Sequence, residues 1–139
     1  MGSSFLGGDS FSFFSGGGGG GGCCCCCPSE IIVCDTGCNS SVRCANNNCA
    51  SGDFSTALAR CNVASGCYST VSGGYCNTAS GVYSFISNGC YNTISACYAS
   101  SILNGYGNII CTSSGNGLIG SGYTNTVSSY YGTILAGRE

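Results

Sequence analysis

All-β is the fold class the sequence predicts, and within it a parallel β-solenoid, a flattened two-sheet β-roll of about 15 residues per coil. Three observations carry the prediction. Asn62, Asn77, Asn92, Asn108 and Asn125 recur at steps of 15, 15, 16 and 17 residues, in blocks such as Asn77-Thr78-Ala79. Between them sits a second motif: Tyr68-Ser69-Thr70-Val71, Tyr83-Ser84-Phe85-Ile86 and Tyr131-Gly132-Thr133-Ile134, with Tyr98-Ala99-Ser100-Ser101-Ile102 as a looser copy. The resulting half-units of 7 or 8 residues are too short for helix pairs. Their Ser, Thr, Asn, Gly and β-branched residues are strand-and-turn chemistry.

Taken in order, residues 1–28 form a low-complexity leader. Phe5, Leu6, Phe11, Phe13 and Phe14 punctuate small residues that cannot build a core alone. The segment is either a disordered tail or a docking peptide whose aromatics fill pockets on a neighbouring subunit. Gly16–Gly22 reads as a flexible tether, with a close-packed polyglycine bundle of three chains as the alternative. Cys23, Cys24, Cys25, Cys26 and Cys27 alternate faces on an extended chain. They match no spaced zinc pattern and find no His, so inter-chain disulfides or plain packing are favoured over metal. The Phe and Cys residues are the candidate anchor or assembly positions.

Residues 29–49 are a strand and lead-in. Glu30–Asp35 is the best local strand, β-branched and ended by Thr36-Gly37; it caps the first coil or adds to a neighbour's open edge. From residue 50 to 139 the repeat is the fold. Residues two apart share a strand face, so Ser69 and Val71 face one way and Tyr68 and Thr70 the other. That period assigns Val71, Ala79, Ile86, Ile94, Ile102, Ile110, Val127 and Ile134 to the roll interior, stacked in rows, with an Asn ladder at the corners.

The composition constrains partners. Charged residues are 6% of the chain, none falls between Arg60 and Arg138, and there is no His, Lys or Trp. A net charge of −2 offers no footprint for nucleic acid or an anionic membrane surface, and no window approaches a membrane-spanning run. Met1–Leu6 has neither the basic nor the apolar region of a secretory signal, and Leu6 spoils a myristoylation site. Two apolar side chains per coil are a thin core against the entropy of ordering 15 residues. A neutral face carrying Tyr68, Tyr83, Tyr98 and Tyr131 is therefore read as the inter-chain face of a homo-oligomer, most simply a three-fold bundle. Fifteen cysteines, an odd count, imply at least one thiol free or paired between chains.

The blocks Asn77-Thr78-Ala79-Ser80-Gly81 and Ser69-Thr70-Val71-Ser72-Gly73 resemble the head repeats of YadA-like trimeric autotransporter adhesins and related phage and viral tail-fibre repeats. The resemblance spans about residues 50–137. It implies a left-handed, trimeric β-roll in an extracellular fibre. Autotransporter heads have period 14, few Cys, and a stalk and membrane anchor after them; the present repeat departs on each point, which favours a virion or filament component.

No enzyme chemistry can be assembled. General acid–base work needs a positioned titratable group, the Ser and Cys residues have no His partner, and no Lys-Ser/Thr follows the Gly run. No cofactor or metal is expected. The expected function is a non-enzymatic structural subunit of an extracellular or virion-surface fibre, self-assembling through roll and leader, with an anchor protein on the virion or cell surface as a further partner. A receptor-binding adhesin module is the alternative. An ice-binding solenoid is a remoter one, suggested by Thr70, Thr78, Thr93 and Thr126 but interrupted by Phe85, Ser101 and Ile109.

Overall fold

The computed structural model describes residues 32–33, 36–43, 47–111, 113 and 115–138. The leader expectations, on Phe5, Phe11, Phe13, Phe14 and Cys23 to Cys27, lie outside the described residues. Among the described residues there is no helix, and the chain forms a solenoid of two sheets. Sheet A runs Ile32–Val33, Ser41–Arg43, Thr56–Ala57, Thr70–Val71, Phe85–Ile86, Ser101–Ile102, Leu118–Ile119 and Thr133–Ile134. Sheet B runs Cys49–Ala50, Val63–Ala64, Thr78–Ala79, Thr93–Ile94, Ile109–Ile110 and Thr126–Val127.

All neighbours pair in parallel and in register except the first. Ile32–Val33 lies antiparallel to Val42–Arg43 and so covers the N-terminal edge of sheet A. An uncovered edge is a template for wrong pairing, and here the outer edge of the first coil is paired within the chain at these two residues.

Each coil repeats one backbone recipe. A residue in the left-handed region turns the corner, a buried polar residue follows it, and an apolar residue two further on enters the core. In sheet A the buried polar residue is Ser40, Ser55, Ser69, Ser84 or Ser100; in sheet B it is Asn48, Asn62, Asn77, Asn92, Asn108 or Asn125. The preceding corner residue has positive φ at Asn39, Phe54, Tyr68, Tyr83 and Ala99 on one side, and at Asn47, Cys61, Cys76, Tyr91 and Thr124 on the other. Asn116 and Tyr131 turn the same corner before Gly117 and Gly132, which replace the Ser in the last two coils of sheet A. A non-glycine residue there costs about 1–2 kcal/mol. The conformation persists because the coils above and below bond the same corner: the Tyr68 N–H donates to Asp53 O at 2.7 Å and the Tyr83 N–H to Cys67 O at 3.0 Å.

The core is two columns of side chains. Val71, Ala79, Ile86, Ile94, Ile102 and Ile110 are fully buried, Val127 nearly so, and Ile134 packs partly buried at the end. Val42, Ala50, Ala57, Ala64 and Ile119 complete the rows.

The Asn ladder follows the corner residues, as expected, and is fully buried there except at its last rung, Asn125. Each Asn Oδ1 accepts the backbone N–H of the Asn one coil on, at 2.8 Å from Asn77 to Asn62 and 3.0 Å from Asn92 to Asn77. From Asn77 on, each side-chain amide donates back to the previous Oδ1 and to a corner carbonyl, as Asn77 Nδ2 does to Asn62 Oδ1 at 3.2 Å and Gly89 O at 2.9 Å. Each internal rung thus uses both ends of its amide, as burial requires.

The Ser column is less complete. Ser40 donates to Gly37 O at 2.8 Å, but Ser69 and Ser84 are buried with no hydrogen-bond partner for the hydroxyl. Removing an unsatisfied hydroxyl removes its desolvation penalty at the cost of a very small void. Ser84→Ala is therefore expected to leave stability unchanged or raise it by about 1 kcal/mol, read as a urea midpoint equal to or above wild type.

Candidate functional site

The candidate positions are surfaces, and the backbone recipe decides what each presents. Tyr68 and Tyr83 were expected to share a strand face with Thr70 and its equivalents. Their positive φ, 59° and 57°, puts them at the corner instead. There Phe54, Tyr68 and Tyr83 stack one per coil, with ring centroids 5.0 and 4.9 Å apart and planes 3° and 14° from parallel. Tyr98 falls one register short, because the looser copy puts Ala99 in the corner position. Tyr131 regains it, but its ring meets Tyr130 edge-on at 5.0 Å. Tyr68, Tyr83, Tyr98 and Tyr131 are all exposed, yet they do not make one continuous column.

A second aromatic column, which the sequence reading missed, runs down the opposite corner through Tyr75, Tyr91, Tyr106 and Tyr123, with centroid separations of 5.6, 5.5 and 5.2 Å. In-register bridges link Arg60 to Tyr75, Tyr75 to Cys90, Cys90 to Tyr106, Tyr106 to Tyr123 and Tyr123 to Arg138. Where Cys90 breaks the column, Tyr91 from the next position fills it. Arg60 lies over Tyr75 at 5.6 Å and Arg138 over Tyr123 at 5.4 Å. Cation–π contacts therefore close both ends of the column, and the two arginines flanking the uncharged stretch have a structural place.

The two outer sheet faces differ. Sheet B presents Cys49, Val63, Thr78, Thr93, Ile109 and Thr126 in one row, with Ser51, Ser65, Ser80, Ser95, Cys111 and Ser128 beside it. Phe85 and Ser101, expected to interrupt a single Thr array, stand on sheet A together with Thr70; only Ile109 interrupts Thr78, Thr93 and Thr126.

Sheet A is uneven by design of its sequence. From Phe85 on, each strand carries one large apolar and one small outward residue, and the large one switches side at every coil: Phe85 beside Ser87, Leu103 beside Ser101, Leu118 beside Gly120, Leu135 beside Thr133. Leu103 is 46% and Leu135 76% exposed. Large and small outward residues thus alternate both along and across the strands.

Charged side chains are few, and most titratable groups are Cys and Tyr. Hydrogen bonding to the Cys76 sulfur holds the Tyr75 phenol above its usual range, and burial pushes the Cys76 thiol up. Among the described residues no cluster of three or more metal-ligating side chains occurs, and no helix is long and apolar enough to cross a membrane. Comparison with protein-family models, with curated proteins and with solved structures found no match.

Proposed function

We propose that the chain is a non-enzymatic structural subunit of a fibre or filament at an extracellular or virion surface, whose rolls associate side by side as a homo-oligomer, a trimer in the simplest case. The observation that carries this reading is the outer face of sheet A, uncharged and apolar from Phe85 to Leu135 with large and small residues alternating. Exposed apolar surface of this extent on a chain with so little charge calls for a partner. A second copy of the same staggered face offers complementary shape without charged groups to desolvate. The stiffness of stacked coils, each bonded only to its neighbours, suits a rod, and the likeness to fibre-head repeats points the same way. The adhesin reading draws less support, because the stacked rings of Phe54, Tyr68 and Tyr83 spend their faces on one another.

The test is the mass of the full chain in solution by light scattering, beside a Leu103→Asp/Leu135→Asp double variant. Two leucines withdrawn from an interface at about 2 kcal/mol each weaken association roughly a thousand-fold. A wild-type oligomer and a variant monomer with an unchanged β-sheet circular dichroism spectrum are expected. A monomeric wild type at high concentration defeats the reading, and a variant that still assembles moves the interface off sheet A.

A further inference from the structure

We propose that Cys61 and Cys76 are a covalent modification site, at which exchange with a small disulfide of the glutathione class forms a reversible disulfide between adjacent coils. Both cysteines occupy the same corner position, at φ 55° and 52°, directly before the ladder residues Asn62 and Asn77. The in-register bridge of Arg60 with Tyr75 sets them side by side, and the Cys76 N–H donates to Arg60 O at 3.1 Å. In-register neighbours on adjacent strands stand about 4.8 Å apart, inside the roughly 4.4–6.8 Å Cα range that a disulfide spans. Both side chains leave the same left-handed corner conformation on adjacent coils, so the two thiols stand on the same side of the roll.

Plain packing does not account for the pair. The same corner position holds Asn47, Tyr91, Gly107 and Thr124 in other coils, so it is no apolar stripe asking for a small hydrophobe. Both thiols are half-buried, which leaves them open to a small reagent. Cys38 and Cys67, which are exposed and share another register column, are separated by a coil that carries Asp53. The chain also already holds one disulfide, at Cys49.

The exchange balances without a further reactant. One protein thiolate attacks a sulfur of the small disulfide, its S–S bond breaks, and one small thiolate leaves. The second protein thiol, once deprotonated, attacks the protein sulfur of that mixed disulfide and expels the other small thiolate. Two protein thiols are oxidised, the small disulfide is reduced to two thiols, and the two protons pass to them. Because the thiolate is the nucleophile and burial pushes the Cys76 thiol up, exchange is expected to quicken as pH rises.

The test takes the full chain through a series of oxidised-to-reduced glutathione ratios, blocks remaining thiols with N-ethylmaleimide, and maps peptic peptides by mass. A Cys61–Cys76 cross-linked peptide, two hydrogens lighter than the reduced pair and lost with dithiothreitol, is the expected result. Oxidation is also expected to raise the melting temperature by roughly 5–10 °C. Cys76→Ser should lose that shift and leave Cys61 carrying glutathione instead. The proposal is overturned if both cysteines remain fully alkylated at ratios where the Cys49 disulfide is intact, or if they cross-link only to other cysteines. The wild-type map decides this even if the variant folds poorly.

Discussion

Asn92→Ala is expected to lower the melting temperature by at least about 10 °C, from the loss of about 3–5 kcal/mol. The Asn92 side chain is fully buried at the centre of the ladder. Its Oδ1 accepts both the backbone N–H and the side-chain amide of Asn108, each at 3.0 Å. Its Nδ2 donates to Asn77 Oδ1 at 3.1 Å and to Gly105 O at 3.0 Å. Alanine fills neither role and opens a void in a dry interior. The Asn108 backbone N–H is left unsatisfied, at about 1–3 kcal/mol, while Asn108 Nδ2 and Gly105 O each lose one bond and keep another, to Gly122 O and from the Cys90 N–H. Thermal and urea unfolding followed by circular dichroism measure the loss, and a change below 1 kcal/mol would show that water or relaxation replaces the rung. Asn92→Asp separates the two halves of the role, since a carboxylate still accepts but cannot donate. Its deficit relative to wild type should shrink as pH falls, because the buried acid is favoured in its protonated form, which regains a donor.

The contrast with Ser84→Ala explains why a thin roll can hold together. With two apolar side chains per coil the interior looks meagre when only Val, Ala and Ile are counted. The ladder adds a chain of mutually polarising amide bonds at the same depth, and the Ser column, partly unsatisfied at Ser69 and Ser84, does not match it. The two columns have the same spacing in sequence and unequal weight in energy.

How much of this was legible follows from the period of two. Ser69 with Val71, or Asn77 with Ala79, already marks the inward face, and in-register stacking then fixes the core rows and both parallel sheets. What the period could not convey was the corner. Tyr, Phe and Cys have no preference for positive φ, and no local rule announces that Tyr68 leaves the strand face on which simple alternation puts it. Only the coil-to-coil bonds impose that conformation. The second aromatic column was hidden for a different reason: it slips one register at Cys90 and Tyr91, so no fixed period exposes it. Arg60 and Arg138, each one place before the Asn-block register, were the available signal. Likewise the Thr positions form one list in sequence but two opposite faces in space, because successive half-units alternate sheets.

Gly105→Ala is expected to cost about 3 kcal/mol or more, through backbone geometry and not through lost burial. Gly74, Gly89, Gly105 and Gly122 occupy one corner column at φ 82°, 98°, 110° and 132°. At φ 110° Gly105 lies beyond the left-handed well that other residues enter. A Cβ there would stand 2.3 Å from Gly122 O and 2.5 Å from Asn108 Nδ2. Neither neighbour can retreat: the Gly122 carbonyl accepts from Tyr106 N at 2.9 Å and from Asn108 Nδ2 at 3.0 Å. The added methyl therefore strikes the backbone of the next coil and the ladder in one step. Ala59 holds the corresponding place in the first coil at φ 71°, where an L-residue is tolerated. Ala59→Gly should accordingly change the urea midpoint little, while Gly105→Ala lowers it sharply. If the two substitutions had similar small effects, the corner would be soft enough to absorb a methyl, and rigid coil-to-coil transmission could not be what holds Tyr68 and its equivalents in their unfavourable conformation.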